Sequence, residues 1–191
     1  MIGRVLFSLS AVALIAAQPA PAPAPKPVML SVIAPQEIAS DPSNRLTIEL
    51  SSGGSVVIML RPDAAPQHVE RIKTLVRQGF YNGLTFHRVV PGFMAQGGDP
   101  KGTGQGGSEL PDLKAEFNTL PFLRGTFGAA RAQAEDSANS QFFIMLGPNP
   151  TLNNNYTVMG RVIEGMTAVD AIAPGEPPAE PTKIVRASLG G

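Results

Sequence analysis

The stretch FHRVVPGFMAQGGDP, residues 86–100, sets one arginine, Arg88, inside a run of apolar residues and follows it with Phe93, Met94 and Gln96. A guanidinium without partners is expensive to bury, so a charge beside an apolar surface is either a satisfied structural ion or a working site. Read as a strand, residues 84–90 place Leu84, Phe86, Arg88 and Val90 on one face and Thr85, His87 and Val89 on the other. The turn Pro91-Gly92-Phe93 can then return Phe93 and Met94 toward Arg88, with Gln96 as a neutral partner for the guanidinium. Those residue types together describe an apolar pocket with one cationic fork at its edge.

Around this stretch the period is that of strands. RLTIEL (45–50) and SVVIML (55–60) flank SSGG (51–54), which reads as an antiparallel hairpin with a glycine turn. LTFHRVV (84–90), RGTFGAAR (124–131), QFFIML (141–146), YTVMGRVI (156–163) and TKIVRAS (182–188) are further strand candidates. One amphipathic helix is expected over 65–79, with Val69, Ile72, Leu75 and Val76 on its apolar stripe, Pro66 in its first turn and Gly79 as its stop. A short helix is expected at 166–172. Many short strands with few helices point to a sandwich or barrel rather than a doubly wound sheet. GTGQGG (102–107) satisfies G-x-G-x-x-G, but Pro111 and polar residues follow it where a helix should begin, so a dinucleotide site is excluded.

Composition narrows the function. With 191 residues, 43% of them hydrophobic, the chain suits one domain with a full core. Fifteen basic side chains balance fifteen acidic ones, which leaves no electrostatic footprint for nucleic acid. Absence of cysteine removes disulfides, thiolate metal sites and cysteine nucleophiles. His68 and His87 are the only imidazoles, and their spacing suits no metal. His68 falls on a helix segment expected to be exposed and is given no role, while His87 reads as a hydrogen-bonded structural residue. No G-x-S-x-G accompanies them, so a Ser-His-Asp hydrolase is not supported.

The N-terminus reads as a signal peptide over 1–17, with Arg4 before an apolar run too short to span a bilayer, so export, most naturally to a periplasm, is expected without stable membrane insertion. Residues 18–43 form a Pro/Ala-rich linker and N-terminal arm; QPAPAPAPKP is extended and polyproline-like, and 28–43 either packs as an irregular arm or stays loose. The globular domain is expected over 44–191.

FHRVVPGFMAQGGDP resembles the signature of the cyclophilin family of peptidyl-prolyl cis/trans isomerases, and SANSQFFI (137–144) resembles its second signature. The glycine loop, GTFGAARA (125–132) and LNNNYTVMGRV (152–162) follow in the family's order, so the resemblance covers residues 44–189. It implies a closed eight-stranded antiparallel β-barrel capped by two α-helices, with the active site on the barrel's outer surface. Carried over by position, Arg88 is the catalytic arginine. Phe93, Met94, Phe143 and Leu152 line a proline pocket, and Gln96 and Gln141 are its polar neighbours. Ala130, Arg131 and Ala132 grip the substrate main chain, and Thr151 and Tyr156 complete the rim. Phe142, adjacent to Phe143, should point into the barrel interior. The 153–155 asparagines read as a loop beside that rim. Thr151 stands where the best-known eukaryotic members have a tryptophan, and Tyr156 where they have a histidine. One wall is thereby smaller and more polar, which argues against binding of the family's macrocyclic inhibitor.

The residue types fit this chemistry. Rotation about an X-Pro bond is opposed by amide resonance, a barrier of about 18–20 kcal/mol. In the twisted transition state the imide nitrogen gains a lone pair, which a fixed donor stabilises more than it does the planar amide. No metal or cofactor is required. The expected partners are proline-containing polypeptides, unfolded or in exposed loops, met by a monomer. A module that binds such segments without turning them over is the alternative, because a groove that catalyses must also bind.

Overall fold

The computed structural model describes residues 29–190; the expected signal peptide and the Pro/Ala spacer lie outside them. Eight strands build one antiparallel sheet: β1 (Arg45–Leu50), β2 (Ser55–Leu60), β3 (Arg88–Val90), β4 (Met94–Gly97), β5 (Thr126–Ala129), β6 (Phe142–Met145), β7 (Val158–Glu164) and β8 (Ile184–Leu189). Their spatial order is β3-β4-β6-β5-β7-β2-β1-β8. The β1–β2 hairpin closes through Gly53 and Gly54 in register Arg45↔Met59 to Glu49↔Ser55. Helix α2 (Pro66–Arg77) lays its predicted stripe of Val69, Ile72, Leu75 and Val76 into the core. Helix α3 (Met166–Asp170) packs on β2, and a further four-residue helix, α1 (Gln36–Ala39), lies in the N-terminal arm. No described helix is long and apolar enough to cross a membrane.

The expectation of a closed barrel is corrected. The ladder is an open, curled half-barrel whose free ends are β3 and β8. Across that gap, Gly83 and Phe86 donate to the carbonyls of Ile184 (2.7 Å) and Thr182 (2.9 Å), and Ile184 returns a bond to Leu84 (2.8 Å). These are isolated bonds because β3 is only three residues long and Pro181, at the partner's start, has no N–H to extend a ladder. The same irregularity corrects the expected alternation: Phe86 is fully buried inside the curl while Arg88 reaches the outer face.

Cross-strand register sorts the sheet into two faces. Val89, Ala95, Ile144 and Phe127 oppose one another on successive strands and belong to the cluster inside the curl, where Phe142 meets Phe86 and Tyr81 edge to face. The opposite parity carries Met94, Met145 and Phe143, which join Leu120, Phe122 and Val158 in a second cluster outside the curl. Leu30 of the arm packs against this outer cluster, its N–H bonded to Thr119 Oγ1 at 3.1 Å, and Arg61 Nη1 donates to the carbonyl of Ser31 at 2.9 Å. Residues of the 28–43 arm described here therefore pack onto the domain.

Candidate active site

Register places the chemistry. Arg88 on β3 opposes Gln96 on β4, Gln96 opposes Phe143 on β6, and Phe143 opposes Gly128 on β5, so all four share one row on the outer face. Gly128 is required there: a Cβ would stand 2.6 Å from the Phe143 ring and 2.9 Å from Phe122. The space it leaves lets Phe143 stack on Phe122 with centroids 5.7 Å apart, and Tyr156 meets Phe143 edge-on at 6.0 Å. The turn at Gly92, with φ +74°, reverses the chain from β3 into β4 and sets Phe93 beside the same surface.

The result is a depression of about 140 Å³ lined by Arg88, Phe93, Met94, Gln96, Phe143 and Leu152, with Ala130, Arg131 and Tyr156 on the remaining wall. An adjoining groove of about 360 Å³ carries Ala132, Gln141 and the glycine loop. Thr151 is not among the lining residues. It is exposed, and its hydroxyl turns to Asn149 Oδ1 (2.6 Å), closing the 3₁₀ turn Pro150–Leu152. The 153–155 asparagines form the loop after that turn, Asn154 taking φ +58°.

Polar contacts differ from those expected at two points. Gln96 does not hold the arginine: its Nε2 donates to Gln141 Oε1 (2.9 Å), and Gln141 Nε2 donates to the carbonyls of Gly104 (3.0 Å) and Gly106 (2.8 Å). Arg88 Nε instead donates to Glu176 Oε2 at 2.6 Å. Arg131 is also fixed, donating to the carbonyls of Ala132, Gln133 and Asn155 with its guanidinium carbon 4.6 Å above the Tyr156 ring. It thus ties the 130–133 segment to the rim loop.

Beneath the row, Asp99 organises the glycine loop by accepting N–H bonds from Lys101 (2.7 Å), Thr103 (2.9 Å) and Gly104 (2.6 Å). Burial alone would raise its carboxyl, but these backbone donors together with that of Gly106 outweigh it and hold the group below the usual carboxylate value. His87 is corrected from its expected role. Both its ring nitrogens are buried and, among the described residues, neither finds a hydrogen-bond partner. Burial depresses its pKa, reinforced by Arg88 and opposed by Asp99. His68 is likewise corrected: it is buried, with Nδ1 2.7 Å from Glu116 Oε2. Sequence reasoning did not point to Glu176, Phe122 or Gly128. Of these only Gly128 lies within a quoted stretch, GTFGAARA, and nothing local marks it as the place where two rings must stack.

Residues 45–189 match the family described as cyclophilin type peptidyl-prolyl cis-trans isomerase/CLD. The chain belongs to this family. Among cyclophilin relatives, a probable peptidyl-prolyl cis-trans isomerase of Brucella suis is 50% identical over 179 residues, covering 85% of this chain and 91% of the relative. Peptidyl-prolyl cis-trans isomerase B of Bacillus subtilis is 41% identical over 128 residues, 66% of this chain and 89% of the other. The crystal structure of a Hirschia baltica cyclophilin superposes with a TM-score of 0.72 at 29% identity, covering 78% of this chain and 74% of that one. A Cryptosporidium parvum cyclophilin type isomerase crystallised in the presence of dipeptide Ala-Pro gives 0.71 at 26% identity, covering 77% and 99%. The cyclophilin fold expected from the 86–100 signature is therefore present, and peptidyl-prolyl cis-trans isomerisation is its activity.

Proposed function

We propose that Arg88 is the catalytic residue of this isomerase and that Phe93, Met94, Phe143 and Leu152 hold the substrate's proline ring. The observation that carries the reading is the placement of a partly exposed guanidinium at the wall of an apolar depression, with its Nη nitrogens bonded to nothing among the described residues. Rotation about the X-Pro bond converts a planar amide, whose nitrogen lone pair is delocalised, into a twisted one with a basic nitrogen. A donor aimed at that nitrogen stabilises the twisted state selectively. The ring stays seated in the depression while the preceding carbonyl turns. Ala130, Arg131 and Ala132 offer main-chain groups to the flanking peptide, with Gln96, Gln141 and Tyr156 at the edges. Thr151, turned away, leaves that edge open.

Clients are proline-containing segments of unfolded chains or exposed loops, and the protein acts as an exported, periplasmic monomer. The test is exchange NMR on an Ala-Pro peptide with wild type beside Arg88→Ala. The variant, still folded, is expected to lose about 10²-fold of the acceleration, as for removal of one transition-state donor. Equal acceleration by both proteins would refute the role of Arg88, and peptide binding without acceleration by either would make the groove a binding module.

A further inference from the structure

The partner of Arg88 is a residue that no sequence signature singled out. Glu176 Oε2 lies 2.6 Å from Arg88 Nε, a short charge-assisted bond. With side chains 42% and 52% exposed, such a pair adds little to stability. Its location is nevertheless fixed. Gly175, immediately before Glu176, exchanges both backbone hydrogen bonds with Val89, immediately after Arg88: Val89 N–H to Gly175 O at 2.8 Å and Gly175 N–H to Val89 O at 2.9 Å. Pro177 restricts the chain on the other side. The backbone of Glu176 is therefore held beside the arginine, within reach of its carboxylate.

The geometry points to Glu176 as a positioning residue for Arg88, an inference that rests on the catalytic reading of that arginine. An arginine side chain has several rotatable bonds, and its plane is undefined until one edge is held. Gln96, the alternative anchor, is committed to Gln141. A bond at Nε fixes the plane and leaves both Nη nitrogens for the depression. The carboxylate also has an opposing effect, since a negative charge against the guanidinium weakens the field it exerts on the imide nitrogen. Positioning and charge thus predict different behaviour for an amide: glutamine keeps the acceptor and removes the charge.

The experiment measures kcat and KM for an Ala-Pro peptide with full-length wild type, Glu176→Gln, Glu176→Ala and Arg88→Ala, together with the Arg88 Nε–H resonance by NMR. Glu176→Ala is expected to lower kcat about tenfold with KM within about twofold, the signature of a misaimed group rather than lost binding. Glu176→Gln restores most of kcat and keeps the slowly exchanging Nε–H signal that Glu176→Ala loses. Glu176→Ser must reproduce the alanine result. A kcat for Glu176→Ala equal to wild type, a rise in both variants, or a change confined to KM overturns the inference. Should Arg88→Ala match wild type, the catalytic reading fails and the positioning role with it, while the Nε–H signal still reports whether the pair forms.

Discussion

His87 shows how the site's neighbourhood constrains a single residue. It sits next to the catalytic candidate, buried, its pKa lowered by desolvation and by the adjacent guanidinium against the opposing charge of Asp99. A folded-state pKa below the ordinary value of about 6.5 means that the unfolded chain takes up a proton there before the folded one does. Stability unaffected by this group above that pH is therefore lost as the pH falls below it. Thermal melts at pH 7.5 and 5.5 are expected to show a drop for wild type that is clearly smaller for His87→Leu; equal drops would place the sensitivity elsewhere. Asp99 acts at a lower pH, its contribution being lost only as the pH falls below about 4 and through its depressed folded value. At this scale the identities of Arg88, Phe93, Met94 and Phe143 were legible in the sequence because a long signature points to them, whereas strand parity alone put Phe86 on the face of Arg88, where the structure does not have it. The spacing of Gly128 from two rings was not, since Phe122, Gly128 and Phe143 meet only when β5 and β6 pair.

Among elements, α2 was the most readable, its start at Pro66 included, and yet the group that caps it was not. Its Ala65 N-cap provides no side-chain bond, and the N–H groups of Gln67 and His68 are instead accepted by Glu116 at 3.1 and 3.0 Å. The cap comes from a loop 48 residues from His68, with its carboxylate also on the His68 ring. Glu116→Ala uncaps the helix and leaves a buried imidazole unpaired. A loss of about 1–2 kcal/mol is expected, read from chemical denaturation. No change there would mean that water replaces the carboxylate. Strand β4 escaped notice for a different reason: MAQG is four residues long with a glutamine and a glycine, too short to show alternation. Its burial comes from lying between β3 and β6, with Ala95 in the inner cluster and Met94 in the outer one.

For the molecule as a whole, the sheet carries a buried apolar cluster on each face, and the arm packs on the outer one. Leu30 packs on the outer cluster, Ser31 takes a bond from buried Arg61, and Ile38 O accepts from Asn44 Nδ2 at 3.0 Å. Deleting residues through 43 removes these contacts. Urea denaturation of the truncated chain is expected to show a loss of about 2–4 kcal/mol, whereas unchanged stability would make the arm a passive tether.

By itself the sequence determined the local elements and the family signature: glycine turns, the helical stripe of α2, and the run from Phe86 to Pro100 that carries the cyclophilin signature. Those depend on residues a few positions apart, whose periodicity can be read along the chain. Only the tertiary structure decided that the sheet stays open between β3 and β8, that Arg88 is held by Glu176 rather than Gln96, and that Glu116 caps α2. Arg88 and Glu176 are 88 positions apart, and their meeting depends on how the sheet curls, which no local pattern encodes.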